Sequence, residues 1–144
     1  MVDTVYLKQI QCGEMANYVY LIGDPTSRQA AVVDPAWDVE RVLQVAQTDG
    51  YTISKVLITH THQDHTGGEL FGYSIPGVVE LLEKLDVPVY VHKTETHILK
   101  NVPASSKVPT ENLQVIDLGG EVRITLLHTP GHTPGSQCFL VQDR

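Results

Sequence analysis

Hydrophobic residues in the first third of the chain fall into short runs separated by Gly, Asp and Pro. Residues 5–10, 18–22 and 30–33 are rich in β-branched and aromatic side chains, which is typical of strands. Their close succession predicts an antiparallel meander. Asp38 then occupies an N-cap position, and apolar residues recur at helical spacing over residues 39–46. The chain is therefore predicted to open with three strands and an amphipathic helix.

The rest of the chain alternates between runs with a strand pattern and segments with helical spacing. Residues 55–59 form an apolar run that is too short for a helix and predicts a buried strand. Gly119-Gly120 predicts a hairpin turn between two strands. This order predicts a mixed α/β (α+β) fold. The other predicted elements are a helix over residues 76–85, strands over residues 87–91, 113–117, 122–127 and 137–141, and one or two helical turns over residues 94–99.

Composition and charge narrow the class of protein. The 144 residues are 42% hydrophobic and 19% charged, a balance typical of one soluble globular domain covering residues 1–144. A net charge of −7 without a basic run argues against a nucleic-acid partner. Since no apolar run approaches the roughly 20 residues of a membrane helix and no export signal is evident, we expect a cytoplasmic protein without a membrane partner. Cys12 and Cys138 are predicted to be unpaired, buried thiols.

The most unusual feature is a cluster of histidines directly after the predicted strand at residues 55–59. His60, His62 and His65 lie within six residues, together with Asp64. Three imidazoles and a carboxylate suit a borderline-soft divalent ion such as zinc. One alternative is that the histidines are solvated independently, but protonated imidazoles so close together would repel one another. Another is a serine or cysteine nucleophile with a histidine base, but the sequence has no GxSxG motif. The cluster therefore predicts a catalytic metal site.

A second histidine motif follows the predicted strand at residues 122–127. Pro130-Gly131 and Pro134-Gly135 flank His132 and predict a tight turn that holds its imidazole outward. His132 is thus a strong ligand candidate. His128, at the end of the strand, is open to two interpretations, either a core residue or a residue that supports the ligands.

Together these motifs resemble the metallo-β-lactamase superfamily, and most closely its glyoxalase II (hydroxyacylglutathione hydrolase) branch. The resemblance rests on HTHQDHTGG at residues 60–68 and TPGHTPGS at residues 129–136. The VVDP segment at residues 32–35 also resembles the early part of that family, and matches extend over residues 18–141. The resemblance implies a four-layer αββα sandwich with a metal site at one edge of its two sheets.

The resemblance also implies individual roles for residues of these motifs. Asp64 is implied to orient the attacking hydroxide and to shuttle its proton. Asp34 is implied to steady the ligand loop, although its place before Pro35 is also typical of a turn or cap. The implied ligands are His60, His62 and His132 for a first metal ion, and Asp64 and His65 for a second.

The function implied by the resemblance is hydrolysis of thioesters or related acyl compounds by a metal-bound hydroxide. The implied cofactor is one or two Zn²⁺ ions, with iron or manganese as alternatives, and the implied partner is a small acyl or thioester substrate. Two other functions stay open from the sequence. One is a persulfide dioxygenase-like enzyme with a single iron, and the other is a catalytically inactive fragment that binds metal.

The sequence departs from the family pattern after the predicted strand at residues 137–141. The family continues with a further strand, an Asp that bridges two metals and a later His, whereas this sequence ends at Arg144. Asp143 comes too early for the bridging position. We therefore expect a sandwich truncated after the His132 motif and the strand that follows it. A further segment, or a second copy in a homo-oligomer, is expected to cover the exposed sheet.

Five other residues are candidates for a substrate approach. His92, Glu95 and His97 follow a predicted strand and are interpreted as a solvent-facing loop, the alternative being that they line the approach. Trp37 is interpreted as a packing anchor. Tyr73 lies in a predicted extended loop, and both a cleft-facing and a solvent-facing position stay open for it.

The incomplete second ligand set leads to a prediction about metal content. With only Asp64 and His65 for a second ion, each chain is expected to retain at most one tightly bound metal ion. Elemental analysis of the protein after extensive dialysis measures this number. Two retained equivalents per chain would contradict the prediction.

Overall fold

The computed structural model describes residues 4–142, which fold into eleven strands, three α-helices and two single-turn 3₁₀ helices. The strands are β1 (Tyr6–Cys12), β2 (Asn17–Gly23), β3 (Gln29–Val33), β4 (Thr52–Leu57), β5 (Gly68–Leu70), β6 (Tyr73–Ile75), β7 (Val89–His92), β8 (Lys107–Thr110), β9 (Gln114–Asp117), β10 (Arg123–His128) and β11 (Gln137–Val141). The helices are α1 (Val39–Thr48), α2 (Gln63–Thr66) and α3 (Val78–Leu82), and the 3₁₀ helices span Thr96–Ile98 and Ala104–Ser106. None of these helices is both long and apolar enough to cross a membrane.

Two sheets carry the fold. The first has six strands in the order β1-β2-β3-β4-β7-β8, and the second has three in the order β11-β10-β9. Strands β1 to β3 are antiparallel, which confirms the predicted meander, whereas β4, β7 and β8 run parallel to β3. Because parallel strands end at the same edge of a sheet, the segments that follow β4 and β7 emerge side by side.

One apolar core lies between the six-stranded sheet and the helices α1 and α3. Val42 and Leu81 of the helices are fully buried together with Leu21, Val32 and Val56 of the sheet. Burial of one such aliphatic side chain contributes about 1.5–3 kcal/mol. This layer is therefore a major source of stability.

A second apolar core fills the space between the two sheets. It contains Leu57 of β4 and Ile124 and Leu126 of β10, all fully buried. Strand β3 serves both cores, since Val32 belongs to the first and Val33 to the second. Alternation of side chains across a strand explains this division. The described residues thus form a helix layer, a sheet and a second sheet, in agreement with the predicted sandwich.

The buried carboxylate of Asp24 joins the two sheets at the turn between β2 and β3. It accepts hydrogen bonds from the backbone N–H groups of Thr26 and Val122, each at 2.9 Å. Burial acts to raise the pKa of this carboxyl, but the bonds from backbone N–H groups outweigh burial and lower the pKa below its ordinary value. This turn lies at the opposite end of β3 from Asp34. Asp24 is therefore remote from the histidine motifs.

Helix α1 confirms the prediction of an amphipathic helix. The side chain of Asp38 caps it by accepting a hydrogen bond from the backbone N–H of Arg41 at 3.1 Å. Val42 and Ala46 lie on its buried face. Gly50 follows the helix with a φ of +82°, a left-handed conformation that glycine adopts at low cost.

Several short elements differ from their predictions. The hairpin of β5 and β6 occupies the segment predicted as an extended loop, and Tyr73 is exposed on it. Strand β8 is missed because Lys107 and Pro109 give no strand pattern. Helix α3 is shorter than the predicted span of residues 76–85, and its continuation as far as Leu85 is only a hydrogen-bonded turn. Elements of three to five residues carry too little periodicity for a sequence prediction.

Cys138 is exposed, so the prediction of two buried thiols is wrong for this residue. Both cysteines are unpaired, and only Cys12 is buried. On β11, Gln137 and Val141 are buried whereas Cys138 lies on the opposite face. A run of apolar residues does not reveal which of its faces is covered.

A groove of about 580 Å³ lies between the early strands and β11. Tyr20, Ile22 and Phe139 are among its mostly apolar lining residues, and Asp34 and His65 also line it. The groove therefore connects apolar surface of the two sheets with residues of the first histidine motif.

The core between the sheets leads to a prediction about stability. Leu126 is fully buried there, so Leu126→Ala leaves a cavity and is expected to lower the free energy of unfolding by about 2–5 kcal/mol. The control is Leu140→Ala, the same change in the same sheet at a 39% exposed side chain, with an expected loss of less than about 1 kcal/mol. Urea unfolding followed by circular dichroism measures both values. Equal losses would contradict this placement of the core.

Candidate metal centre

The two histidine motifs meet at one edge of the sandwich. The first motif follows β4 of the larger sheet, and His62 is the N-cap of α2. The second motif follows β10 of the smaller sheet. The backbone N–H of Gln137 donates a hydrogen bond to the carbonyl of Thr59 at 2.9 Å, which joins the two sheets beside the motifs.

His60, His62 and His132 form a group whose potential ligand nitrogens all lie within 4.8 Å of one another. The ring centroids are 4.7 Å apart for His60 and His62 and 4.8 Å apart for His60 and His132, and both pairs meet edge-on. His60 is buried, whereas His62 and His132 are exposed. The three nitrogens are thus gathered at one place that is open to solvent.

His60 has the properties that a metal ligand requires. Its Nδ1 lies 2.9 Å from the hydroxyl of Thr59, and its buried Nε2 has no hydrogen-bond partner among residues 4–142. A buried polar nitrogen without a partner is costly, and coordination of a metal ion removes this cost. Burial has the largest effect on the pKa of His60 and lowers it, and the charge of the neighbouring His65 lowers it further. The low pKa favours the neutral form that binds metal. The three imidazoles therefore fit a zinc ion or a similar divalent ion.

His65 and Asp64 lie next to each other beside the triad. The Nε2 atom of His65 is 3.4 Å from Oδ2 of Asp64, and its Nδ1 atom is 3.0 Å from Oδ2 of Asp34. Burial acts to lower the pKa of His65, but the hydrogen bond and charge of Asp34 and the charge of Asp64 outweigh burial and raise it. The two residues implied for a second ion are thus adjacent.

Asp34 contacts the loop that carries the first ligand. Its carboxylate accepts hydrogen bonds from the backbone N–H of Thr59 at 2.8 Å and from the Thr59 hydroxyl at 2.5 Å. Its φ of +50° is left-handed, a conformation that Asp tolerates better than most residues. With His60 and His65 it forms a second group of potential ligand atoms within 4.8 Å. Asp34 therefore contacts both the residue before His60 and the ring of His65.

Two residues outside the histidine motifs, Asn17 and Trp37, hold Asp64. The side-chain amide of Asn17 donates to the Asp64 carbonyl at 2.8 Å and to its carboxylate at 3.0 Å. The indole N–H of Trp37 donates to the same carbonyl at 3.0 Å. Burial acts to raise the pKa of Asp64, but the bond from Asn17 and the charge of His65 lower it. Asn17 lies 47 residues before Asp64, so no local pattern reveals the contact.

The end of β7 and the turn that follows it correct the prediction of a solvent-facing loop. His92 and Glu95 are buried, with only 3% and 1% of their surfaces exposed, whereas His97 is exposed. The His92 ring stacks on His128 with 3.9 Å between centroids. The prediction failed because such side chains are buried only when other segments supply their partners.

His128 and Gln137 connect the second motif to neighbouring strands. The Nε2 atom of His128 lies 2.8 Å from the carbonyl oxygen of Pro134, within the motif. The buried side chain of Gln137 donates to the carbonyl of Ile58 at 2.9 Å and accepts from the hydroxyl of Thr110 at 3.0 Å. The two bonds of Gln137 hold the chain directly after the second motif against the ends of β4 and β8.

Comparison with known proteins agrees with this geometry. The family model described as the Metallo-beta-lactamase superfamily matches residues 12–144, a span that includes both histidine motifs. The chain belongs to this superfamily. The match confirms the resemblance that the two motifs carry.

Individual proteins of known name or structure are similar over most of this chain. The hydroxyacylglutathione hydrolase of Alkalilimnicola ehrlichii is 40% identical, over 83% of this chain and 41% of its own length. A metallo-beta-lactamase from Staphylococcus aureus superposes with a TM-score of 0.78 and 30% identity, over 99% of this chain and 40% of that one. ETHE1 from Myxococcus xanthus has a TM-score of 0.75 and 28% identity, over 96% of this chain and 55% of that one. The chain spans 33% to 66% of the length of the first curated relatives that it matches.

The contacts of His65 lead to a prediction for the metal-free protein. Because the pKa of His65 is raised above its ordinary 6.5, its stabilising contribution is complete below about pH 6.5 and is lost as the pH rises through the raised pKa. Asp34→Asn removes the charge that faces the ring, so we expect the pKa of His65 to fall. An NMR titration of the imidazole measures this shift.

The control is Asp117→Asn, the same kind of change on β9 of the other sheet, which is expected to leave the pKa of His65 unchanged. A His65 pKa that stays the same in Asp34→Asn would contradict the assigned cause of the shift.

Proposed function

We propose that the protein is a metal-dependent hydrolase of thioesters or related acyl compounds. The observation that carries the proposal is the triad of His60, His62 and His132, in which the buried Nε2 of His60 has no partner within residues 4–142. Three protein ligands leave one position of a tetrahedral ion open for water or substrate, as in catalytic rather than structural zinc sites. The similarity to a hydroxyacylglutathione hydrolase supports the thioester class.

The chemistry divides between a bound ion and the protein's own residues. A divalent ion at the triad supplies Lewis-acid activation of a water molecule and of the substrate carbonyl. Asp64 is held ionised by the hydrogen bond from Asn17, and we assign to it the proton transfer between the attacking water and the leaving group. His62 and His132 are exposed and leave the substrate access to the centre.

We propose zinc as the resident ion, because three imidazole ligands suit it and because it supplies hydrolytic chemistry without redox steps. Iron also binds imidazole donors, whereas manganese prefers oxygen donors such as the carboxylate of Asp64. The likeness to ETHE1 keeps the persulfide dioxygenase-like iron enzyme as the second candidate. One set of assays can therefore test the metal identity and the reaction type together.

The triad provides a direct test of hydrolysis. The purified chain is stripped with a chelator, reloaded with zinc, and assayed with acyl-glutathione and other acyl thioesters. Turnover is expected only with metal, and His62→Ala is expected to lower kcat/KM by about 100-fold or more because one of three ligands is lost. His97→Ala, which removes an exposed histidine outside the triad, is the control and is expected to keep full activity.

The outcomes separate the proposal from its rivals. Zinc retained at the triad without turnover of any thioester would contradict the proposal and support an inactive metal-binding fragment. Oxygen consumption with a persulfide by the iron-loaded protein, without thioester hydrolysis in the zinc form, would instead support the dioxygenase-like enzyme.

A further inference from the structure

The carboxylate of Glu95 is buried between the two ligand loops. Glu95 lies just after β7, with 1% of its surface exposed. Its Oε1 atom accepts hydrogen bonds from the backbone N–H of Thr61 at 3.0 Å and from the Thr61 hydroxyl at 2.7 Å. Its Oε2 atom accepts from the Thr133 hydroxyl at 2.5 Å and from the backbone N–H of Gly135. One carboxylate thus binds four donors.

These donors belong to both histidine motifs. Thr61 lies between His60 and His62, and Thr133 directly follows His132. One oxygen of Glu95 binds the first motif and the other oxygen binds the second. Every residue of the proposed triad is therefore next to a residue that Glu95 holds.

The ionised form of Glu95 is the one that suits this position. Burial acts to raise its pKa, but the hydrogen bonds from Thr133, Thr61 and Gly135 outweigh burial and lower the pKa below its ordinary value. Hydrogen bonds to a charged acceptor are stronger than bonds between neutral groups. Loss of the carboxylate would leave buried donors of both motifs without a partner.

The second motif provides the space for this carboxylate. A Cβ atom at Gly135 would lie 2.5 Å from Oε2 and 2.8 Å from Cδ of Glu95. Both distances are shorter than real Cβ contacts, so a larger residue would displace the carboxylate or the loop. Gly135 therefore allows a close approach as well as a turn.

We infer that Glu95 is a positioning residue that fixes the two ligand loops relative to each other and thereby sets the geometry of the three-histidine metal site. It acts through Thr61 and Thr133. The inference rests on the proposed metal centre at His60, His62 and His132, and it adds a residue that connects the two halves of that centre.

The chain offers a matched control. Asp24 is also 1% exposed, accepts hydrogen bonds from backbone N–H groups that include those of Thr26 and Val122, and has Gly120 packed on its carboxylate. It joins the sheets at the end remote from the motifs. Asp24→Asn therefore perturbs a buried carboxylate of the same kind without touching the ligand loops.

The first measurement uses the metal-free protein. Glu95→Gln replaces one acceptor oxygen with a donor, so the bonds to Thr61 and Gly135 cannot both be kept. Amide hydrogen exchange is expected to accelerate by about 10-fold or more at one or both of these residues in Glu95→Gln, and to stay the same at both in Asp24→Asn. Unchanged exchange at both residues in Glu95→Gln would overturn the inference.

The second measurement uses Co²⁺ as the probe, with affinity determined by chelator competition. Glu95→Gln is expected to weaken Co²⁺ binding by about 10–100-fold, as does the loss of other groups that orient metal ligands, and to alter the visible absorption spectrum of bound Co²⁺. Asp24→Asn is expected to keep the wild-type spectrum and an affinity within about threefold. Thr61→Val, which removes one of the four bonds, is expected to weaken binding by about 3–10-fold.

The outcomes distinguish this inference from the proposed function. If the wild type binds Co²⁺ and folded Glu95→Gln binds it with the same affinity and spectrum, the inference is wrong while the metal centre stands. If the wild type binds no Co²⁺, the proposed metal centre itself is wrong. If near-ultraviolet circular dichroism shows that Glu95→Gln does not fold, the Co²⁺ affinity of Thr61→Val becomes the test. Unchanged Co²⁺ binding by Thr61→Val would then overturn the inference.

Discussion

The packing of the two sheets against each other brings the two halves of the candidate metal centre together. His60 and His62 follow a strand of the larger sheet, whereas His132 follows a strand of the smaller one. The apolar layer that contains Leu57 and Leu126 holds the two strand ends together. Hydrophobic packing is non-directional, so it brings the loops close without orienting them. Their orientation depends on buried polar groups at the same edge.

These polar groups also set the charge pattern of the site. Asp34 binds the residue before the first ligand, Asp64 is held ionised by Asn17, and Glu95 binds both loops. In the same surroundings burial keeps the imidazole of His60 neutral. Ionised acids beside a neutral imidazole suit a metal-dependent hydrolase, because histidine binds a metal in its neutral form while a carboxylate accepts protons.

Much of the fold follows from local patterns. The meander, helix α1 with its cap at Asp38 and strand β11 all match their predictions, since each depends on periodicity or capping within a few residues. Strands β5, β6 and β8 are not predicted from the sequence because they are short and form only by pairing with neighbouring strands. Pro109 is tolerated in β8 because that strand lies at the edge of its sheet, a position that only the complete sheet defines.

The sequence by itself determined the family and indicated candidate ligands for the metal centre, because residues 60–68 contain three histidines, residues 129–136 contain a fourth, and both motifs directly follow predicted strands. Only the tertiary structure decided the roles of Asn17, Glu95 and Gln137. Each acts through hydrogen bonds to residues that are distant in sequence. A buried carboxylate or amide is stable only where hydrogen-bond donors or acceptors from several segments meet. The residues next to it in the sequence do not reveal which distant segments supply these partners.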